Sequence, residues 1–261
     1  MPEQSYDPEF FSPLFDTEER HFWFRARNRL IMAMLKGILP QLPEDYRLVE
    51  IGCGTGNVLR VLEPLCGAAH ISGMDLFMEG LRFARRRVSC ALVQADLQAP
   101  PFGRKVEVVG MFDVLEHLEN DGEVLEQVAK LIIPGGWLLL TVPAFMELWS
   151  YFDVASHHAR RYRRKELTGK LESAGFEVQQ ISYTMLLAFP LVWLQRHLSG
   201  VTTKHEEMDE VRVHDRAMRD LRIVPVINEI LAFLLSLEAP LVAGGVSLPF
   251  GSSLIAIAIK K

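Results

Sequence analysis

The chain has 261 residues, 49% hydrophobic and 23% charged, with a formal net charge of −5. That size suits an α/β domain carrying an insertion, and that composition excludes a disordered chain. The acidic balance argues against nucleic acid as a partner.

Three cysteines, Cys53, Cys66 and Cys90, are odd in number and lack metal-ligand spacing, so reduced thiols of a cytoplasmic protein are expected. The polar opening Met1-Pro2-Glu3-Gln4 predicts no secretory signal, and no run reaches the ~18 uninterrupted apolar residues that span a bilayer. Contact with a membrane is expected to be peripheral at most.

In chain order, the residues before Asp16 are aromatic without periodicity and are expected to drape over the domain. Asp16 or Thr17 can cap a helix whose Phe24, Ile31, Leu35 and Ile38 share one face, and Pro40 and Pro43 end it. The apolar run Leu48-Val49 then leads into Glu50-Ile51-Gly52-Cys53-Gly54-Thr55-Gly56 and a helix-compatible stretch from Asn57: a strand, a glycine turn and a helix. Glycines at alternate positions let backbone approach a ligand closely, and the helix start offers unpaired N–H groups to an anion.

A second strand, Ile71 to Met74, closes on Asp75, about 20 residues past the glycines, where an acid meets a ribose diol. A third, Ala91 to Ala95, ends in Asp96-Leu97, a carboxylate for an adenine amino group with an apolar neighbour. A fourth, Val106 to Phe112, runs into Asp113-Val114-Leu115-Glu116-His117. A helix over Asp121 to Leu131 and the turn Pro134-Gly135-Gly136 precede a fifth strand, Trp137 to Val142. Continuous apolar strands alternating with helices predict a parallel sheet covered on both faces.

A helix from Lys165 to Ala174 stops at Gly175, and a sixth strand covers Phe176 to Tyr183. The remaining strand-like segment is Ser253 to Ile259. Residues 184–248 therefore read as an inserted helical cap, with apolar segments Leu186–Leu194 and Ile227–Leu237 and a charged connection, Lys204 to Asp220, between them. Insertions beside a rigid sheet are where substrate choice tends to reside.

These motifs, in this order, resemble the class I, seven-β-strand family of S-adenosylmethionine-dependent methyltransferases over Leu48 to Phe176. The blocks Glu19 to Arg27, Val114 to His117 and Asp153 to Tyr162 are similar to a bacterial subgroup acting on glycans, lipids or secondary metabolites. The resemblance implies a Rossmann-like seven-stranded α/β sheet with an antiparallel last strand, an N-terminal lid helix and a helical insertion before that strand. The corresponding division is 1–43 lid, 44–183 cofactor-binding core, 184–248 cap and 249–261 final strand.

By the same resemblance S-adenosylmethionine is the cofactor. Glu50, Gly52, Gly54 and Gly56 would cradle its methionine end, Asp75 would bind its ribose, Leu76 would pack on adenine and Asp96 and Leu97 would meet the adenine edge, with Cys53, Asn57, Met111 and Phe112 as further cofactor-binding positions. Trp23 and Arg27 of the lid are candidates for cofactor or substrate contact, since aromatic faces attract a sulfonium and arginine a carboxylate; packing of the aromatics into the core is the other reading. Two departures stand out: Glu107 where the family more often has Asp, and His157 at a place often held by Gly.

His117 follows the fourth strand's carboxyl end, and an unperturbed imidazole suits proton transfer at neutral pH; capping of the next helix or bonding to Glu116 is the alternative. His158 is a second candidate base and Tyr162 a substrate-facing hydroxyl, in a segment whose Arg160 and Arg161 could hold an acceptor's carboxylate or phosphate. Metal sites at Asp153-His157-His158 or at Glu116-His117 lack supporting ligands, and no metal is expected. The basic run Arg82, Arg85, Arg86 and Arg87 reads as a solvated face.

The expected reaction is O-methylation of a small-molecule, glycan or lipid-linked acceptor. Phe189, Trp193 and Leu194 suit an interfacial helix, an acceptor pocket or simple core packing. Two alternatives stay open: a cofactor-binding protein without catalysis, and a nicotinamide or nucleotide-sugar enzyme, although Gly-x-Gly-x-Gly differs from the dinucleotide spacing Gly-x-Gly-x-x-Gly.

Overall fold

The computed structural model describes residues 10–98, 100–198 and 222–261. Seven strands form one sheet: β1 Leu48–Ile51, β2 Ile71–Asp75, β3 Ala91–Gln94, β4 Val106–Phe112, β5 Ile132–Pro143, β6 Phe176–Thr184 and β7 Ser253–Lys260. Their order is β3-β2-β1-β4-β5-β7-β6, parallel except for β7, which runs antiparallel between β5 and β6. The strand order reverses between β1 and β4, so their carboxyl ends open the crevice where such sheets bind ligands.

The helices are α1 Phe11–Thr17, α2 Phe22–Ile38, α3 Asn57–Cys66, α4 Met78–Ala84, α5 Asp121–Leu131, α6 Tyr151–Ala155, α7 Arg164–Ser173, α8 Phe189–Leu198, α9 Pro225–Ser236 and α10 Glu238–Ala243. One face of the sheet is covered by α5 and α7 through Leu125, Val128, Leu167 and Leu171. The other is covered by α2, α3, α4 and α10 through Leu30, Ile31, Leu59, Leu81 and Val242.

Three local readings change. The described part of the segment expected to drape enters the helix α1, with Phe10 and Phe11 buried. The next helix starts at Phe22, not at Asp16 or Thr17, because the His21 ring accepts the Trp23 N–H at 3.3 Å. The fifth strand also reaches back to Ile132, which pairs with Val106 across a bulge that absorbs Pro134-Gly135-Gly136.

The chain between β6 and β7 is joined to the core by two buried polar side chains. Asn228 of α9 accepts the Phe22 N–H at 2.8 Å and donates to the Arg20 carbonyl, tying down an otherwise orphaned N–H at the head of α2. Glu238 accepts the backbone N–H of Met185 at 2.7 Å. The charged connection expected over Lys204 to Asp220 lies outside the described residues.

Pro225–Ala243 is long and apolar enough to cross a membrane by length and composition. One side of it, Ala232, Leu235, Ala239 and Val242, is buried beside α2 and the sheet. Its opposite side leaves Val226, Ile230, Phe233, Leu237 and Leu241 exposed.

Candidate functional site: a glycine crevice and an edge cluster

The β1–α3 turn is shaped by backbone that only glycine adopts easily. Gly52 has φ +69°, and a Cβ there would lie 2.4 Å from a Val114 methyl; Gly56, at φ +75°, would place one 2.9 Å from the Ala84 Cβ. The turn leaves the head of α3 facing the carboxyl edge of the sheet. At the end of β2, Asp75 accepts the Gly54 N–H at 2.7 Å and the Phe77 N–H at 2.8 Å. Burial raises its carboxyl, and these backbone N–H groups offset only part of that rise.

Glu50 is 3% exposed, and its Oε2 has no hydrogen-bond partner among the described residues. Burial pushes this carboxyl well above the usual range, opposed in part by the Arg27 charge. Arg27, on α2, pairs with Asp113, the first residue past β4, and its guanidinium carbon lies 4.9 Å from the Trp23 ring centre. Asp113 holds φ +57°, a left-handed conformation that Asp tolerates better than most residues. The crevice thus holds three carboxylates and one guanidinium, with acceptor capacity to spare at Glu50.

Helix α1 lies across the glycine turn. A Cβ on Gly80 would meet the Phe11 ring at 3.0 Å, and one on Gly54 would meet it at 3.7 Å. Thr55 donates its hydroxyl to Glu18, and Arg87 donates to Glu18 at 2.6 Å and to the Phe15 carbonyl at 2.6 Å. The Arg87 side chain is 3% exposed, so the expected solvated face is corrected there: it is a buried clamp between α1 and the turn.

A second constellation stands on the same edge, beyond β4 and β5. Asp153 closes a capping box with Ser150 at the start of α6 and accepts a fork from Arg161, at 2.7 Å from Nε and 3.0 Å from Nη2. Burial would raise Asp153, but the His158 hydrogen bond and the Arg161 charge outweigh it and hold it far below the usual range. His158 Nδ1 lies 2.9 Å from Asp153, while its Nε2 is 4.0 Å from Glu116. The His117 ring packs edge-on to His158 at 4.7 Å. Glu116 is fully buried, neither carboxylate oxygen has a partner among the described residues, and burial pushes it well up.

A family pattern described as Methyltransferase domain matches residues 18–181. The chain belongs to the methyltransferase domain family. A fatty-acid O-methyltransferase of Mycolicibacterium smegmatis is 30% identical over 145 residues, 52% of this chain and 48% of that protein. A ubiquinone biosynthesis O-methyltransferase of Thiobacillus denitrificans is 25% identical over 52% of this chain and 66% of its own length. The chain thus spans about half to two thirds of these relatives. A solved Thermotoga maritima structure, a SAM-dependent methyltransferase described as a possible histamine N-methyltransferase, superposes with TM-score 0.55 at 14% identity, covering 97% of this chain and 96% of that one.

In this chain the β1 turn, Asp75 and the Asp96-Leu97 pair all stand at the carboxyl edge of the sheet, with Asp96 accepting the Gln98 N–H at 2.9 Å. Asn57 is buried against Asn28 of α2. Three expectations are corrected. Met111 and Phe112 are 1% and 6% exposed and sit in opposite halves of the core, so their side chains are occupied there. Tyr162 is fully buried and donates to Asp121 at 2.8 Å, so it presents no hydroxyl to a substrate. Arg160 and Arg161 likewise serve Asp121 and Asp153 rather than an acceptor.

His117 differs from its sequence reading in charge state. Burial, then the neighbouring His158 and His157, lower it to about 3, which leaves a neutral imidazole of weak basicity. His157 takes φ +53°, the glycine-like conformation that its position demands. Asp113, the Glu18–Arg87 clamp and the Asp153–His158 pairing were not anticipated. Asp113 falls at a strand end and Asp153 and His158 lie within one motif block, whereas Glu18 and Arg87 are 69 positions apart and carry no local signal.

Proposed function

We propose that this protein transfers the methyl group of S-adenosylmethionine to an oxygen atom of a small or lipid-linked acceptor. One observation carries the reading: a buried Glu50 oxygen without a partner stands in the same crevice as the Arg27–Asp113 pair and Asp75. An amino-acid ammonium would satisfy Glu50, its carboxylate would meet Arg27 and the N–H groups of the glycine turn, and a ribose diol would meet Asp75. Trp23 offers an aromatic face to a sulfonium. The bound cofactor supplies a methyl group already activated on positive sulfur.

The protein's own contribution is then alignment, worth ~7–11 kcal/mol of barrier, and removal of the acceptor's proton. His158 is the base we assign. With Asp153 ionised, Nδ1 carries the proton, and the lone pair is on Nε2, 4.0 Å from Glu116. The O-methyltransferase names of the relatives support oxygen as the methylated atom. The exposed apolar side of α9 and α10, with Leu191 and Trp193 of α8, supports a greasy acceptor presented at a membrane surface.

Calorimetry with S-adenosylhomocysteine on the full chain tests the cofactor, with tight binding expected for the wild type and at least a tenfold loss in Asp75→Ala. Binding of a nicotinamide dinucleotide instead would refute it. A radiolabelled-methyl screen over fatty acids, phenols and polyprenyl-linked glycans then tests the acceptor class, with His158→Ala expected to lower turnover about 10²–10⁴-fold.

A further inference from the structure

We infer that Asp113 recognises the acceptor and is masked by Arg27 until the cofactor draws Arg27 away. The site then takes a polyhydroxylated acceptor without negative charge, and takes it second. This rests on the methyltransferase reading above and deepens it.

The glycine crevice sets Glu50, Asp75 and Asp113 against a single guanidinium, and in the free protein Arg27 is paired with Asp113. Its Nε is buried with no hydrogen-bond partner among the described residues, so a ligand carboxylate gains a donor that Asp113 does not use. The Trp23 and Phe24 rings flank the guanidinium at 4.9 and 5.4 Å, and a cation held on aromatic faces in this way needs no fixed carboxylate partner. Asp113 does not follow it. Its backbone, at φ +57°, is pinned by its N–H on the Thr141 carbonyl at 3.0 Å. Its side chain keeps 18% exposure, so a ligand reaches it. A largely buried carboxylate that has lost its cation is costly, and a hydroxyl donor offsets that cost.

The other arginines of this edge exclude an acidic acceptor. Arg160 is paired with Asp121, Arg161 with Asp153 and Arg163 with Glu147. Once Arg27 holds the cofactor, none of these four is left for an acceptor carboxylate, which would meet Asp113 with no cation between them.

The base points the same way. A carboxylate is methylated without losing a proton, whereas a hydroxyl needs a base, and the Asp153–His158 pair supplies one. The hydroxyl oxygen bonds the methyl carbon as the carbon–sulfur bond breaks, its proton passes to His158 Nε2, and the positive charge of sulfur reappears on the imidazole. A second hydroxyl of the same acceptor is then the donor that Asp113 receives. Glu116 lies within electrostatic reach of Asp113 and 4.0 Å from His158 Nε2, so the two acceptor-facing groups share one part of the edge. A site built to hold hydroxyl donors rejects analogues that lack them.

The test is calorimetry on the full chain with two probes, each titrated with and without saturating S-adenosylhomocysteine. Octyl glucoside is a neutral polyol on an alkyl chain, and octanoate is a carboxylate on a like chain. Octyl glucoside is expected to bind about 10-fold tighter when S-adenosylhomocysteine is present, and tighter than octanoate under that condition. Asp113→Asn should lose that gain while binding S-adenosylhomocysteine no more weakly than the wild type, since Arg27 no longer has a competing anion. Arg27→Gln should bind S-adenosylhomocysteine more weakly yet take octyl glucoside without it, because Asp113 is then never masked. Thermal melts show which variants are folded, and should one fail to fold the other decides. Octyl glucoside affinity that ignores S-adenosylhomocysteine, octanoate bound as tightly as octyl glucoside, or folded variants that behave as the wild type does, would each overturn the inference. A wild type that binds no S-adenosylhomocysteine would instead refute the cofactor reading itself.

Discussion

Arg87 and Glu18 meet at 2.6 Å beneath α1, both nearly excluded from solvent, and the Thr55 hydroxyl of the glycine turn joins the same carboxylate. Sixty-odd residues of chain separate them, so their pairing fastens the N-terminal segment to the glycine turn between β1 and α3. Removing one member leaves a buried charge uncompensated, at a cost of about 3–5 kcal/mol. Arg87→Ala is therefore expected to lower the melting temperature and weaken S-adenosylhomocysteine binding together, by thermal melts and calorimetry. Unchanged affinity in a folded variant would show that α1 contributes nothing to the crevice.

Glu50 should couple cofactor binding to protons. Burial raises its carboxyl in the free protein, and an ammonium beside it would draw the group down, so binding should release a proton wherever the free carboxyl is still protonated. The apparent binding enthalpy should then vary with the buffer's own ionisation enthalpy, and Glu50→Gln should remove that variation. Because the raised carboxyl penalises the free fold as pH rises through its folded value, Glu50→Gln should also leave the apo protein no less stable at neutral pH.

Tyr162 is expected to matter for stability and not for turnover. Burial would raise the Asp121 carboxyl, but hydrogen bonds from Lys170 and Tyr162 and the Arg160 charge outweigh it and leave it lowered. Its stabilising contribution is present above the ordinary carboxylate range and is lost as pH falls below about 4. Tyr162→Phe should cost about 1–3 kcal/mol and flatten this acid limb in melts between acid and neutral pH. A large fall in turnover with unchanged stability would restore the tyrosine to the site.

The apolar side of α9 should seek lipid. Ile230 and Phe233 are 54% and 62% exposed, facing away from α2. The double variant Ile230→Glu/Phe233→Glu is expected to abolish co-sedimentation with liposomes of bacterial lipid extract while leaving cofactor affinity intact. Equal sedimentation of variant and wild type would remove the membrane from the reading.

Much of the sheet was legible because buried parallel strands are written as continuous apolar runs, and Asp121–Leu131 was legible at both ends through its acidic first turn and its periodicity. Helix α1 was not, since its apolar contacts are Gly54, Gly80 and Phe77 across the turn and not a periodic stripe of its own. Likewise Arg87 reads as one arginine among four, and only its reach to Phe15, Glu18 and Thr55 sets it apart.

Sequence alone determined the family architecture, the glycine turn and the placement of Glu50 and Asp75, because these depend on local backbone conformation and on fixed offsets from strand ends. Tertiary structure alone decided that Tyr162 belongs to the core, that Arg160 and Arg161 are already engaged, and that the buried Glu116 has no hydrogen-bond partner among the described residues. The physical reason is that burial and charge pairing are set by neighbours brought from distant parts of the chain, and no spacing within a segment encodes which partner will arrive.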